Sequence, residues 1–181
     1  MNELVKVVQQ AAKIPVREEE GQYLTFLLAR EMFAVTILNI KEIIEYGQLT
    51  AVPMMPTFVR GVINLRGQVV PVIDLQARLG RESTAVGRRT CIVIVEIVAG
   101  GDGHNEVLGV VVDAVSEVLS IPATQIERAP QFGARMRTDF IAGMGKIHDK
   151  FVVILNLEKV LSLQELSSMV QWAEESSVAV Q

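Results

Sequence analysis

The chain has 181 residues, of which 50% are apolar and 21% charged, and it carries a net charge of −4. That length suits one large domain or two small ones, and the composition excludes a disordered, collagenous or disulfide-built chain. Seventeen basic against 21 acidic groups is the wrong balance for life on phosphate backbones, so nucleic acid is not an expected partner.

Residues 1–20 read as an amphipathic N-terminal extension, with Leu4, Val7, Val8, Ala11 and Ala12 at helical spacing and Pro15 as the stop. Polar residues such as Lys6, Gln9 and Lys13 interrupt it too often for an export signal. From Tyr23 the texture changes to short runs rich in Val, Ile, Thr and Phe, which predict strands at 23–28, 33–38, 40–46, 69–75, 91–98, 107–112, 114–119 and 151–157. The 27 valines and 15 isoleucines, set against only 5% aromatics, favour strands over helices for the same reason. Pro71 cannot donate to a ladder, so its strand is expected at an edge or a bulge. Gly100-Gly101-Asp102-Gly103-His104-Asn105 predicts a hairpin tip. Beyond Leu161 helical spacing returns: Leu163, Leu166, Met169, Val170 and Ala173 fall on one stripe, Ser162 and Glu165 form a capping box, and Trp172 lies beside the stripe. A C-terminal helix and tail over 162–181 is expected. No apolar run approaches the roughly 18 residues needed to cross a bilayer, so membrane insertion is not expected.

The most informative feature is an internal repeat. Residues 58–79 align without a gap onto 140–161: Phe58, Gly61, Val70, Leu75 and Leu79 match Phe140, Gly143, Val152, Leu157 and Leu161, and Asp74 faces Asn156. At another offset 33–44 resembles 108–119, sharing Val35/Val110 and Glu42/Glu117. Two small five-stranded barrels, joined through the polar segment 80–89, account for this order of elements; a single pseudo-twofold sandwich is the alternative.

Chemistry is sparse. His104 and His148 have no His or Cys at ligand spacing, no phosphate loop or nucleophile elbow occurs, and Cys91 lies in the apolar run Cys91-Ile92-Val93-Ile94-Val95 as a buried, reduced thiol. No catalytic residue, metal or cofactor is expected. What distinguishes the copies is charge: copy one has Arg60-Gly61 and Asn64-Leu65-Arg66-Gly67 where copy two has Ala142-Gly143 and Lys146-Ile147-His148-Asp149. The paired glycines look architectural, whereas Arg60 and Arg66 do not. Gly67 predicts a tight turn with positive φ that would hold Arg66 in place.

The stretches 52–75, 108–122 and 140–161 closely resemble the CheW-like coupling proteins of bacterial chemotaxis, and the resemblance runs from about Tyr23 to Leu161. It implies a mainly β fold of two intertwined five-stranded SH3-like barrels with short helices. The expected division is an extension at 1–20 and a domain at 21–161. Barrel one would take about 21–80 plus the strand near 151–157, and barrel two about 90–150. The resemblance also implies a non-catalytic adaptor joining the cytoplasmic tips of chemoreceptors to the regulatory domain of a CheA-type histidine kinase, in the cytoplasm and recruited to membrane-associated receptor arrays. It implies receptor contacts at Ile40, Glu42, Arg60, Gly61, Asn64, Arg66 and Cys91, and kinase contacts at Val110, Val112, Val115 and Val118. Lysine is common in the family where this chain has Arg60, and valine where it has Cys91. The competing function class is a small β-barrel that binds a ligand or single-stranded nucleic acid, which would need a basic stripe with exposed aromatics.

Overall fold

The computed structural model describes Lys6 and residues 20–99, 103–130 and 138–162. The expected N-terminal extension, the start of the glycine-rich tip at 100–102 and the C-terminal stripe lie outside the described residues. Within them the chain is mainly β, as expected. The strands are β1 (Glu20–Leu28), β2 (Glu31–Thr36), β3 (Ile40–Glu45), β4 (Val59–Leu65), β5 (Gln68–Asp74), β6 (Cys91–Ala99), β7 (His104–Val112), β8 (Ala114–Pro122), β9 (Ile126–Glu127), β10 (Ile141–Ile147) and β11 (Lys150–Leu155). Two four-residue helices follow β5 and β11: α1 (Leu75–Arg78) and α2 (Leu157–Val160).

Turn chemistry joins these strands. Three hairpins close through two residues that both have positive φ, namely Ala29-Arg30, Arg66-Gly67 and His148-Asp149. This is the type I′ geometry, whose twist matches that of the flanking strands. Gly67, at φ 85°, takes the conformation its sequence predicts. The other turns use residues for which positive φ costs more, and Asp113 supports one of them by accepting from the Ala29 N–H at 2.7 Å.

The strands form two sheets, with orders β8-β1-β2-β11-β10-β9 and β3-β6-β7-β5-β4. Neither follows chain order, which corrects the expected division of 21–80 plus 151–157 against 90–150. Each copy of the repeat instead places its first two strands in the sheet completed by the other copy. The exchange is symmetric in register: Val72 lies opposite Gly109 where β5 meets β7 in parallel, and Ile154 lies opposite Ala34 where β11 meets β2. These are the same pairs under the two repeat offsets. The sheets also curl. β8 and β9 lie at opposite ends of one strand order yet are separated in the chain by only Ala123–Gln125. In the second sheet, Thr50 follows edge strand β3 and pairs with Val62 of the opposite edge, β4.

That return of the chain explains the paired glycines. A Cβ on Gly61 would stand 2.3 Å from the Thr50 carbonyl oxygen, and one on Gly143 would stand 2.6 Å from Ile126 Cγ2 of β9. Both lie at register shifts, between Val59 and Gly61 in one hairpin and between Ile141 and Gly143 in the other. Of the two expected places for Pro71, an edge or a bulge, the edge is excluded because β5 runs between β7 and β4, and the register with β4 shifts at the adjoining pair Val72 and Ile73. Its missing N–H is tolerated because the β7 ladder begins one residue later, at Val72.

A central apolar cluster lies between the sheets, and each sheet wraps a smaller one of its own. β6 serves both sides: Cys91, Val93, Val95 and Ile97 face the central cluster, while Ile92 and Ile94 face the small one. A strand buried on two faces needs an unbroken apolar run, which is how residues 91–95 read. Arg78 ties the two copies together. Its guanidinium stacks over Phe58 and Phe140, the matched aromatics, at 5.4 and 5.0 Å, and its Nε donates to the carbonyl of Val160 at 2.8 Å. Val160 is the residue that copy two has in place of Arg78.

Candidate functional site

The β4–β5 hairpin projects Arg66 toward edge strand β3. Both of its terminal nitrogens donate to Glu42 Oε1, at 2.6 and 3.1 Å, with 68% of the arginine side chain exposed against 20% of the glutamate. Asn64 shapes the tip, its Oδ1 accepting from the Gly67 N–H at 2.8 Å. Ile40, at the start of β3, is half-buried against the central cluster. The structure thus brings Glu42, Asn64 and Arg66 together beside Ile40. Two exposed apolar side chains that the sequence did not single out flank them in the chain: Leu38, 80% exposed in the turn before β3, and Val69 on β5. An exposed ion pair of this kind contributes little to stability, so either partner can exchange it for an incoming charge.

Arg60 has a different surrounding. Its Nε donates to Asp74 Oδ2 at 3.0 Å and its Nη2 to the Thr84 carbonyl. Asp74 is fully buried and also accepts from the Ala77 N–H, the Thr84 N–H and the Thr84 hydroxyl at 3.2, 2.8 and 2.9 Å. The arginine therefore neutralises a buried carboxylate that caps α1 and pins the segment joining the two copies. Sequence reading missed Asp74 and Thr84. The signal was present in the repeat: copy two replaces Arg60 by Ala142 and Asp74 by Asn156, losing both charges together, and Asn156 caps α2 by accepting from the Lys159 N–H.

The other expected contacts differ in burial. Gly61 is buried under Thr50. Cys91 is 2% exposed, Val110 3% and Val112 1%, all within the central cluster, where each completes packing between the sheets and has no surface to present. Burial pushes the Cys91 thiol up from its ordinary pKa, with a backbone contact from Val115 working the other way. The thiol is thereby held in its unreactive form. Val115 and Val118 on β8 are half-buried, packed on the central cluster from its margin. A cavity of about 10 Å³ lies between the sheets, bordered by Phe26, Val93 and Val110, and is no larger than one water. Among the described residues no group of three or more His, Cys, Asp and Glu is placed to hold a metal ion.

Residues 22–165 match the model of the CheW-like domain. The chain is 34% identical over 151 residues to the chemotaxis protein CheW of Klebsiella aerogenes, covering 83% of this chain and 87% of that one. It is 32% identical over 157 residues to the chemotaxis protein CheW of Helicobacter pylori, covering 86% and 90%. It is 28% identical over 160 residues to protein FrzA of Myxococcus xanthus, covering 88% and 91%. Among solved structures, scaffolding protein TtCheW of Thermoanaerobacter tengcongensis superposes with a TM-score of 0.69 at 33% identity, covering 82% of this chain and 90% of that one.

Proposed function

The chain belongs to the CheW-like domain family, and on that premise we propose that it joins the cytoplasmic tips of chemoreceptors to the regulatory domain of a CheA-type histidine kinase in membrane-associated receptor arrays. Its role is that of a coupling adaptor in chemotaxis signal transduction, working through contacts rather than catalysis. No helix among the described residues is long and apolar enough to cross a membrane.

The observation that carries this reading is the Arg66–Glu42 pair held at the tip of a rigid hairpin against an edge strand. In our reading the receptor helix lays apolar side chains over Ile40, Leu38 and Val69 while its charges compete for Arg66 and Glu42 and so fix its register. Asn64 keeps the tip in shape. Arg60, Gly61 and Cys91 support this face from behind without touching the helix. The kinase domain is assigned to β8 at the margin of the central cluster, with the half-buried Val115 and Val118 as contacts and Val110 and Val112 as the neighbouring core. Calorimetric titration of a receptor-tip fragment tests the first half. Arg66→Ala should weaken binding by more than about 1 kcal/mol, roughly fivefold, with an unchanged circular dichroism spectrum. Unchanged affinity would remove Arg66 from the site.

A further inference from the structure

The corner between β2 and β3 is built differently from its counterpart between β7 and β8, and the difference exposes a leucine. In the alignment of 33–44 with 108–119, Thr36, Leu38 and Asn39 stand where copy two has Val111, Asp113 and Ala114. The registers carry the equivalence to the neighbouring strands. Val95 lies opposite Leu108 and Ile40 as Phe26 lies opposite Phe33 and Val115, so Glu96 corresponds to Leu27. In copy two the corner is drawn in: the Asp113 N–H donates to the Leu27 carbonyl at 3.0 Å, its carboxylate accepts from the Ala29 N–H, and β8 begins at the next residue.

In copy one these bonds are rerouted. The Leu38 N–H turns to Thr36 Oγ1 at 3.4 Å, an acceptor that Val111 could not supply. The Glu96 carbonyl is taken at 3.1 Å by Asn39 Nδ2, a donor that Ala114 could not supply. Lys41 Nζ stands 3.7 Å from the carboxylate of the same glutamate. A side-chain amide thus satisfies the carbonyl that a main-chain N–H satisfies in copy two. The segment Ile37–Asn39 is thereby left to wind into a 3₁₀ turn between buried Ile37 and half-buried Ile40, with Leu38 in solvent. A lone exposed leucine is ordinary. Three positions changed together so that one is held out are not.

Resting on the receptor site proposed above, we infer that Leu38 is the apolar anchor over which the receptor helix closes, and that Asn39 is the positioning residue that presets it. A leucine standing out from an edge fits the hole between four side chains of a facing helix. A turn already fixed in the free chain spares the ordering cost on binding.

Calorimetric titration of the receptor-tip fragment compares Leu38→Ala, Asn39→Ala and Asn39→Asp, the last keeping the shape and losing the donor. Leu38→Ala should weaken binding about tenfold or more and each Asn39 variant about threefold, while Asn39→Ala should add less than about twofold once Leu38 is alanine. In the free chain, nuclear magnetic relaxation should show the Leu38 backbone order parameter falling from about 0.85 to below about 0.6 in both Asn39 variants. Their affinity for the kinase regulatory domain should stay at the wild-type value, which a general loosening of the fold would not allow. Unchanged affinity in Leu38→Ala beside a weakened Arg66→Ala would overturn the anchor and leave the receptor site standing. Unchanged affinity in both would overturn the receptor site and the anchor with it. Asn39 variants that keep the Leu38 order parameter, weaken receptor binding equally without Leu38, or lose the kinase domain would overturn the positioning role.

Discussion

Replacing Arg60 by alanine tests its role as the counter-charge of a buried carboxylate. In the native chain the Asp74 carboxylate is fully buried and accepts four hydrogen bonds around α1 and Thr84 in addition to a fifth contact of Arg60 with the Thr84 carbonyl. The only cation among those donors is Arg60, whose side chain is 24% exposed. Breaking a buried pair by removing one member typically costs about 3–5 kcal/mol, since the other charge is left uncompensated. Here three neutral donors remain and the arginine end is partly hydrated, so about 2–3 kcal/mol is expected for Arg60→Ala. Copy two shows the repair, because Ala142 and Asn156 occupy the same two places. The double variant Arg60→Ala/Asp74→Asn should therefore recover about 1–2 kcal/mol over Arg60→Ala alone. Urea unfolding of wild type, both single variants and the double variant closes the cycle. A cost below about 0.5 kcal/mol for Arg60→Ala, or a double variant as unstable as the sum of the singles, would refute the reasoning.

Three further outcomes follow from the same packing. Gly61→Ala meets the Thr50 carbonyl at a φ of 145° and should cost about 3 kcal/mol, whereas Gly67→Ala has open space around it and should cost only about 1 kcal/mol; urea midpoints compare the two. Arg78→Ala removes two ring contacts and the bond to Val160 at the junction of the copies, for about 2–3 kcal/mol, and Arg78→Lys should not restore it because an ammonium cannot stack on both rings as a planar guanidinium does. The raised Cys91 pKa means that above the unfolded thiol's value, about 8.5, the unfolded chain holds fewer protons than the native one, so stability falls as pH rises. Cys91→Val should flatten that alkaline decline in unfolding curves recorded between pH 8 and 10; an unaltered slope would mean the buried thiol contributes nothing to it.

How far the sequence speaks depends on which residues carry the signal. Strands with long β-branched runs, such as β6 and β7, are legible because burial on two faces demands such runs. β4, β9 and β10 were not predicted as strands: Gly61, Asn64, Gly143, Gly145 and Lys146 interrupt the pattern, and the glycines are there because another part of the chain passes too close for a Cβ. The repeat was legible, but the exchange of strands between copies was not, because alignment reports equivalence and says nothing of partnership. At the candidate site, the expected contacts Glu42, Asn64 and Arg66 lie together through the Arg66–Glu42 pair and the Asn64-capped turn. Cys91, Val110 and Val112 were not separable from surface by pattern alone, since a strand lining a core and a strand offering an apolar contact read alike. Arg60 looked free because its partner lies fourteen residues away in sequence.

In the proposed function one surface holds the receptor while another holds the kinase, so that the two partners meet only through this protein. Sedimentation of a receptor-tip fragment and the kinase regulatory domain from the same organism, with and without the chain, tests it most directly. The partners should co-sediment only when the chain is present, and Arg66→Ala should release the receptor fragment while the kinase domain stays bound. Loss of both partners in that variant, or bridging as strong as in the wild type, would contradict it.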